Sequence, residues 1–128
     1  MTDQDIRKIA TVRKMYEGDE AERANIARDI VGHVPGHNPV SGDYRGYDEY
    51  TQLMPARMAP LDRWDFTLED MMVNDDYVMT TLRLVGERKG KTIELRGGHL
   101  MRVDADGRVA EGWGFLQDQG ALDDFFAD

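Results

Sequence analysis

The sequence predicts an α+β domain with helices in its first half and an antiparallel sheet in its second. Three observations carry that expectation. Near the N-terminus, apolar residues recur at helical spacing behind capping residues. From Trp64 onward they fall into four strand-like runs separated by turn-forming triplets. The length of 128 residues, 41% of them hydrophobic, suffices for one core and not for two, so residues 1–128 read as a single domain that folds without disulfides or a structural metal.

The first helix begins at Thr2, whose hydroxyl stands three residues before Asp5. It carries Ile6, Ile9, Ala10, Val12 and Tyr16 on one side and stops at Gly18. Asp19 and Glu22 repeat the cap-then-acid spacing. Ala24, Ile26, Ala27, Ile30 and Val31 then predict a second helix ending near Gly32. Residues 32–46, with two prolines, four glycines and His33 and His37, predict a long irregular loop, either a functional segment or a plain surface connection. Tyr47, Tyr50, Leu53 and Met54 fit a third helix that Pro55 must end or kink.

Strands are expected over 64–73, 77–87, 92–103 and 108–117. They are joined at Asn74-Asp75-Asp76, Arg88-Lys89-Gly90 and Ala105-Asp106-Gly107 into a meander. A connection this short forces antiparallel neighbours, and the helices must then cover one face of the sheet.

Charge and composition exclude several functions. With 16 Lys+Arg against 25 Asp+Glu, the formal charge of −9 leaves no basic surface for phosphate backbones, so no nucleic-acid partner is expected. The chain has no cysteine, which removes thiol nucleophiles and Cys-ligated zinc. No apolar run nears the roughly 18 residues of a membrane span, and Met1 to Arg7 lacks the order of a signal peptide. A soluble cytoplasmic protein without a membrane partner is expected.

On the third meander strand Ile93, Leu95, Gly97, His99, Met101 and Val103 share one face, so His99 points with the apolar set. An imidazole in such surroundings stays neutral near pH 7 and can accept a proton at one nitrogen while donating at the other, which suits acid/base catalysis. A core histidine with both nitrogens satisfied is the alternative. On the last strand Val109, Glu111, Trp113, Phe115 and Gln117 share a face, predicting Trp113 and Phe115 as pocket wall or core and Glu111 as an in-strand acid. Gly112 and Gly114 take the other face. Tyr16, Tyr44, Tyr47 and Tyr50 offer phenolic donors. His33 and His37 are four apart, but Pro35 and Gly36 between them prevent the helix that would aim both at a metal, so no metal site is expected.

His33-Val34-Pro35-Gly36 with Gly42-Asp43-Tyr44-Arg45-Gly46, Gly98-His99-Leu100-Met101-Arg102-Val103, and Asp106-Gly107-Arg108-Val109 running to Asp118-Gln119 together resemble the SnoaL-like branch of the NTF2-like superfamily. The similarity spans nearly the whole chain, through Ala121 to Phe126. It implies an NTF2-like cone in which three N-terminal helices pack into a strongly curved, mainly antiparallel sheet, with a short first strand near Val31 to Val34. It also implies an apolar pocket for a small hydrophobic ligand, and a homodimer. The superfamily hosts isomerases, cyclases, epoxide hydrolases, dehydratases and non-catalytic modules. The position of the ketosteroid isomerase general base aligns with Val34, and that of its oxyanion-hole carboxylate with His99. In SnoaL-type polyketide cyclases a histidine on the same strand works with an aspartate on the last strand, whose place aligns with Trp113.

These readings combine into a cofactor-independent acid/base enzyme of isomerase, cyclase or dehydratase type acting on a small hydrophobic carbonyl- or hydroxyl-bearing molecule. His99 leads, Glu111 or His33 assists, and Tyr16, Tyr44, Tyr50, Met101, Trp113 and Phe115 bind the substrate. The alternative is a non-catalytic ligand-binding or association module. Val78, Leu82, Leu84, Leu100 and Leu116, with Gly112 and Gly114, are expected on the sheet face opposite the pocket as the surface of a twofold homodimer.

Overall fold

The computed structural model describes residues 1–17 and 24–127. Helix α1 spans Asp3–Met15; Thr2 caps it in a reciprocal box in which its hydroxyl accepts from the Asp5 amide and the Asp5 carboxylate accepts from its own. The cap and stop residues expected at Gly18, Asp19 and Glu22 lie outside the described residues.

Ile26–Val34, expected as the second half of a helix, is strand β1. Ile26, Ile30 and Val31 are β-branched and prefer a pleated surface. The four-residue interval between buried Ile26 and Ile30 belongs equally to a strand, and an irregularity between Ile26 and Val31 blurs the alternation that would have marked it. Strand β2, Gly42–Arg45, pairs antiparallel with β1, so the irregular part of the expected 32–46 loop shrinks to residues 35–41. The third helix is a π-helical turn, Glu49–Leu53, running into the short helix α2, Met54–Met58. Pro55 falls at the junction where the π-helical turn passes into α2. Among the described residues, α1 is the one helix ahead of the sheet where three were expected.

The meander forms at the expected places: β3 Arg63–Asn74, β4 Tyr77–Arg88, β5 Lys91–Val103 and β6 Val109–Leu116. Lys89 and Gly90 both adopt positive φ, as a two-residue hairpin turn requires. Helix α3, Gln119–Phe126, capped by Asp118, closes the chain. The sheet order is β2-β1-β6-β5-β4-β3, with β1 parallel to β6 and every other pair antiparallel.

One face of this six-stranded sheet packs against α1, α2 and α3. Val12, Ile30, Val78, Met101 and Val109 form one core cluster there, and Leu82, Leu84, Leu122, Phe125 and Phe126 a second. Among the described residues no helix is long and apolar enough to cross a membrane.

Candidate functional site

The strand registers fix which side chains meet inside the sheet. Met71, Thr80, His99 and Gly114 form one inward row across β3, β4, β5 and β6; Val73, Val78, Met101, Gly112 and Gly32 form the next. His99 thus faces the interior with Met101, on the face its alternation predicts. Together with residues of α1, α2 and α3 these rows bound a cavity of about 680 Å³, lined by apolar side chains including Met54, Met58, Phe66, Leu82, Leu84 and Leu122. That size suits a small organic molecule. Arg13, Glu17 and Asp65 line it and are solvent-exposed, so fixed charge gathers at its mouth.

The interior polar centre is a pair that the sequence separates by 83 positions. The Tyr16 hydroxyl and His99 Nδ1 share a 2.7 Å hydrogen bond, and the two rings stack at 5.7 Å. Phe66 meets the imidazole edge-on at 5.4 Å. Burial pushes the Tyr16 phenol up to about 12, opposed by the neighbouring Thr80 hydroxyl, which has no partner of hydrogen-bond geometry. Burial alone drops His99 to about 4. The imidazole retains some surface toward the cavity, but protein encloses it otherwise, and desolvation disfavours its charged form. His99 Nε2 has no hydrogen-bond partner among the described residues and is not sealed from solvent, as Trp64 Nε1 and Thr80 Oγ1 are.

His33 and Glu111 come together, but away from His99. The β5–β6 register shifts between Arg102 and Val103, leaving Ala110 as an extra residue in β6. A bulge of this kind inverts the alternation beyond it. Val109 therefore points inward, whereas Glu111, Trp113 and Phe115 carry their side chains on the outer face, opposite to the expected one, and Gly112 and Gly114 face the cavity. His33 Nε2 bonds Glu111 Oε2 and Nδ1 bonds Asp43 Oδ1, both at 2.7 Å, and the imidazole stacks on Trp113 at 5.4 Å. Arg102 lies 3.7 Å from Glu111. The bond to Glu111, aided by Asp43, raises the His33 pKa against the opposing effect of burial. With both ring nitrogens engaged, His33 reaches the cavity rim without offering it a free nitrogen.

Tyr50 lines the cavity, its ring filling the space over Gly32. Tyr44 does not: it is fully buried, its hydroxyl donating to the Val40 carbonyl and accepting from Arg57. Trp113 and Phe115 touch the cavity edge, but Trp113 lies between His33 and Tyr77, and Phe115 is 47% exposed. Sequence reasoning missed Trp64, Phe66, Leu82, Leu84 and Gly114 as lining residues; β-strand alternation from Leu84 to Val78 could have found two of them, since His99 and Thr80 pair directly.

Val78, Leu82 and Leu84, expected on the outer face, are at most 1% exposed inside, because the register pairs them with Met101, Gly97 and Leu95. Leu116 also turns inward, against the second core cluster. The outer row instead runs Met72, Met79, Leu100, Trp113 and His33.

A six-stranded sheet packed on helices, with a half-open apolar cavity and a tyrosine–histidine pair in its lining, is the architecture of the NTF2-like fold. Residues 11–112 match the family model described as the SnoaL-like domain, and the chain belongs to that family. Among solved structures, the protein Bal32a from a soil-derived mobile gene cassette is 22% identical, with 97% of this chain and 99% of that one covered and a TM-score of 0.89. An NTF2-like protein from Burkholderia thailandensis is 27% identical over 86% of this chain and 90% of its own, with a TM-score of 0.77. TerC, co-crystallized with polyporic acid, is 16% identical over 95% and 99%, with a TM-score of 0.84. No curated protein matches the sequence.

Proposed function

We propose that this protein is a cofactor-independent acid/base enzyme, of isomerase, cyclase or dehydratase type, acting on a small hydrophobic molecule that carries a carbonyl or hydroxyl group. The observation that carries this reading is the Tyr16–His99 pair, with Nε2 open to an apolar cavity. When Tyr16 gives its hydrogen to Nδ1, Nε2 bears a hydrogen and can donate to a substrate oxygen; with the roles exchanged, Nε2 presents a lone pair that can take a proton. A histidine held neutral serves either role at neutral pH, and the surrounding low dielectric strengthens both interactions. Tyr16 positions the ring, and Met101, Tyr50 and Phe66 enclose the apolar body of the substrate. Glu111 and His33, bonded to each other on the outer face, have no part in proton transfer at His99. The structural likeness to TerC, co-crystallized with polyporic acid, supports a small organic ligand in this cavity.

The test is solvent deuterium exchange into a panel of apolar ketones, enones and phenols, followed by mass spectrometry. The wild type should catalyse exchange or conversion of at least one member, and His99→Ala, still folded, should lose about 10²- to 10⁴-fold in rate. Compounds that bind both proteins equally well and emerge unchanged would make this a binding module and refute the reading.

We further propose that the outer sheet face forms a homodimer. The outer row Met72, Met79, Leu100 and Trp113 is flanked by Tyr77 and Phe115, with Met72, Tyr77 and Phe115 52%, 39% and 47% exposed, and a second copy would cover this apolar surface.

A further inference from the structure

Three glycines face the cavity on neighbouring strands, and they are not equivalent. A Cβ on Gly112 would fall 2.7 Å from Met101 Sδ, and one on Gly32 would fall 2.8 Å from the Tyr50 ring. The space over each is already filled by a side chain that needs the glycine beneath it. Gly114 differs. A Cβ there would meet Pro35 Cδ at 3.4 Å and His99 Cδ2 at 3.8 Å, with no other heavy atom that near. Its backbone is not among the positive-φ glycines, so neither strain nor close packing requires glycine at this position. The space left open adjoins Cδ2, the ring carbon bonded to Nε2, and both residues line the cavity.

We infer that Gly114 is the specificity-determining position of this pocket: its missing side chain keeps open the approach to His99 Nε2, and the ligand group that meets Nε2 lies against the β6 backbone between Pro35 and His99. The inference rests on the acid/base reading only in taking Nε2 as the working nitrogen. Pro35 belongs to the segment that links β1 to β2, so the slot is formed by three pieces of chain, with the imidazole on β5 as one wall, the proline as another and the β6 backbone as the floor. An alanine at 114 makes ordinary van der Waals contacts with both walls and narrows the space between them. A valine narrows it further.

Access to Nε2 can be read without knowing the substrate. Diethyl pyrocarbonate modifies unprotonated imidazole nitrogens, and peptide mass spectrometry resolves His99 from His37, which is solvent-exposed and serves as an internal standard. At about pH 6 His99 is held neutral by its burial. The wild type should be modified at His99. Gly114→Ala should slow that reaction several-fold and Gly114→Val by about tenfold or more, with unchanged modification of His37. Circular dichroism and the melting temperature should match the wild type for the alanine variant, which then carries the test if the valine variant folds poorly. Equal His99 rates in wild type and folded variants would overturn the role of Gly114 and leave the acid/base reading standing. A wild-type His99 that stays unmodified while His37 reacts would overturn both.

Discussion

Acidification should destabilise this protein through His99, by an amount that follows from where the imidazole is buried. In the unfolded chain it protonates near 6.5; in the folded protein burial holds it to about 4. Between those values the unfolded chain binds a proton that the folded chain refuses. The stabilisation is complete above about pH 6.5, diminishes as pH falls through the window and levels off below about pH 4. At about pH 4.5 linkage places the loss at about 2–3 kcal/mol, a large part of the roughly 5–15 kcal/mol that holds a domain folded. His99→Gln removes the titration while keeping a polar side chain beside Tyr16. The variant should be less stable than wild type at neutral pH by about 1 kcal/mol, because the 2.7 Å bond is not reproduced. Its further loss between about pH 7 and pH 4.5 should be about 2–3 kcal/mol smaller than that of the wild type. Carboxylates titrate in both proteins, and so does His33, whose raised pKa works in the opposite direction; both cancel in the comparison. Urea unfolding of the two proteins at the two pH values measures the difference. An identical pH dependence would mean that His99 protonates as freely as in solution and that the cavity is wet at its core.

Glu111→Gln should move the His33 pKa down toward its ordinary value, read by NMR titration, since the bond to Glu111 is the main cause that raises it. The stability that this pair contributes is present below about pH 6.5 and lost as pH rises through the folded value, so the variant should lose most at mildly acidic pH; no movement of His33 would refute the assignment. Trp113→Ser should convert a dimer to monomer in sedimentation experiments, and a wild type that sediments as a monomer would remove the proposed interface. Asp123→Ala should raise amide hydrogen exchange over residues 36–41 and cost about 1 kcal/mol, because Asp123 Oδ1 accepts from both Asn38 and Gln119 at 2.8 and 3.0 Å and ties that segment to α3. Unchanged exchange there would show that the segment is held by Ser41 and Val40 instead.

The sequence by itself determined what depends on near neighbours along the chain. Thr2 and Asp5 cap α1 because both partners lie within one turn, and Lys89-Gly90 turns the β4–β5 hairpin because its conformation is local. The inward face of His99 was legible for the same reason: β5 alternates without interruption from Ile93 to Val103. What lay beyond reach depended on residues far apart in sequence. Ile26–Val34 becomes a strand because β2 and β6 hydrogen-bond to it on either side, and no local spacing of Ile26, Ala27 and Ile30 announces those partners. One extra residue at Ala110 sent Trp113, Phe115 and Glu111 to the outer face and brought Gly112 and Gly114 to the cavity, because a period of two turns a single insertion into a complete exchange of faces. Tyr16 finds His99, and His33 finds Glu111, only when helix and sheet close on each other. The residue types needed for acid/base chemistry were therefore visible in the sequence, while their assignment to one pair inside and another outside was made by register, bulge and packing, whose energies come from contacts that no short segment contains.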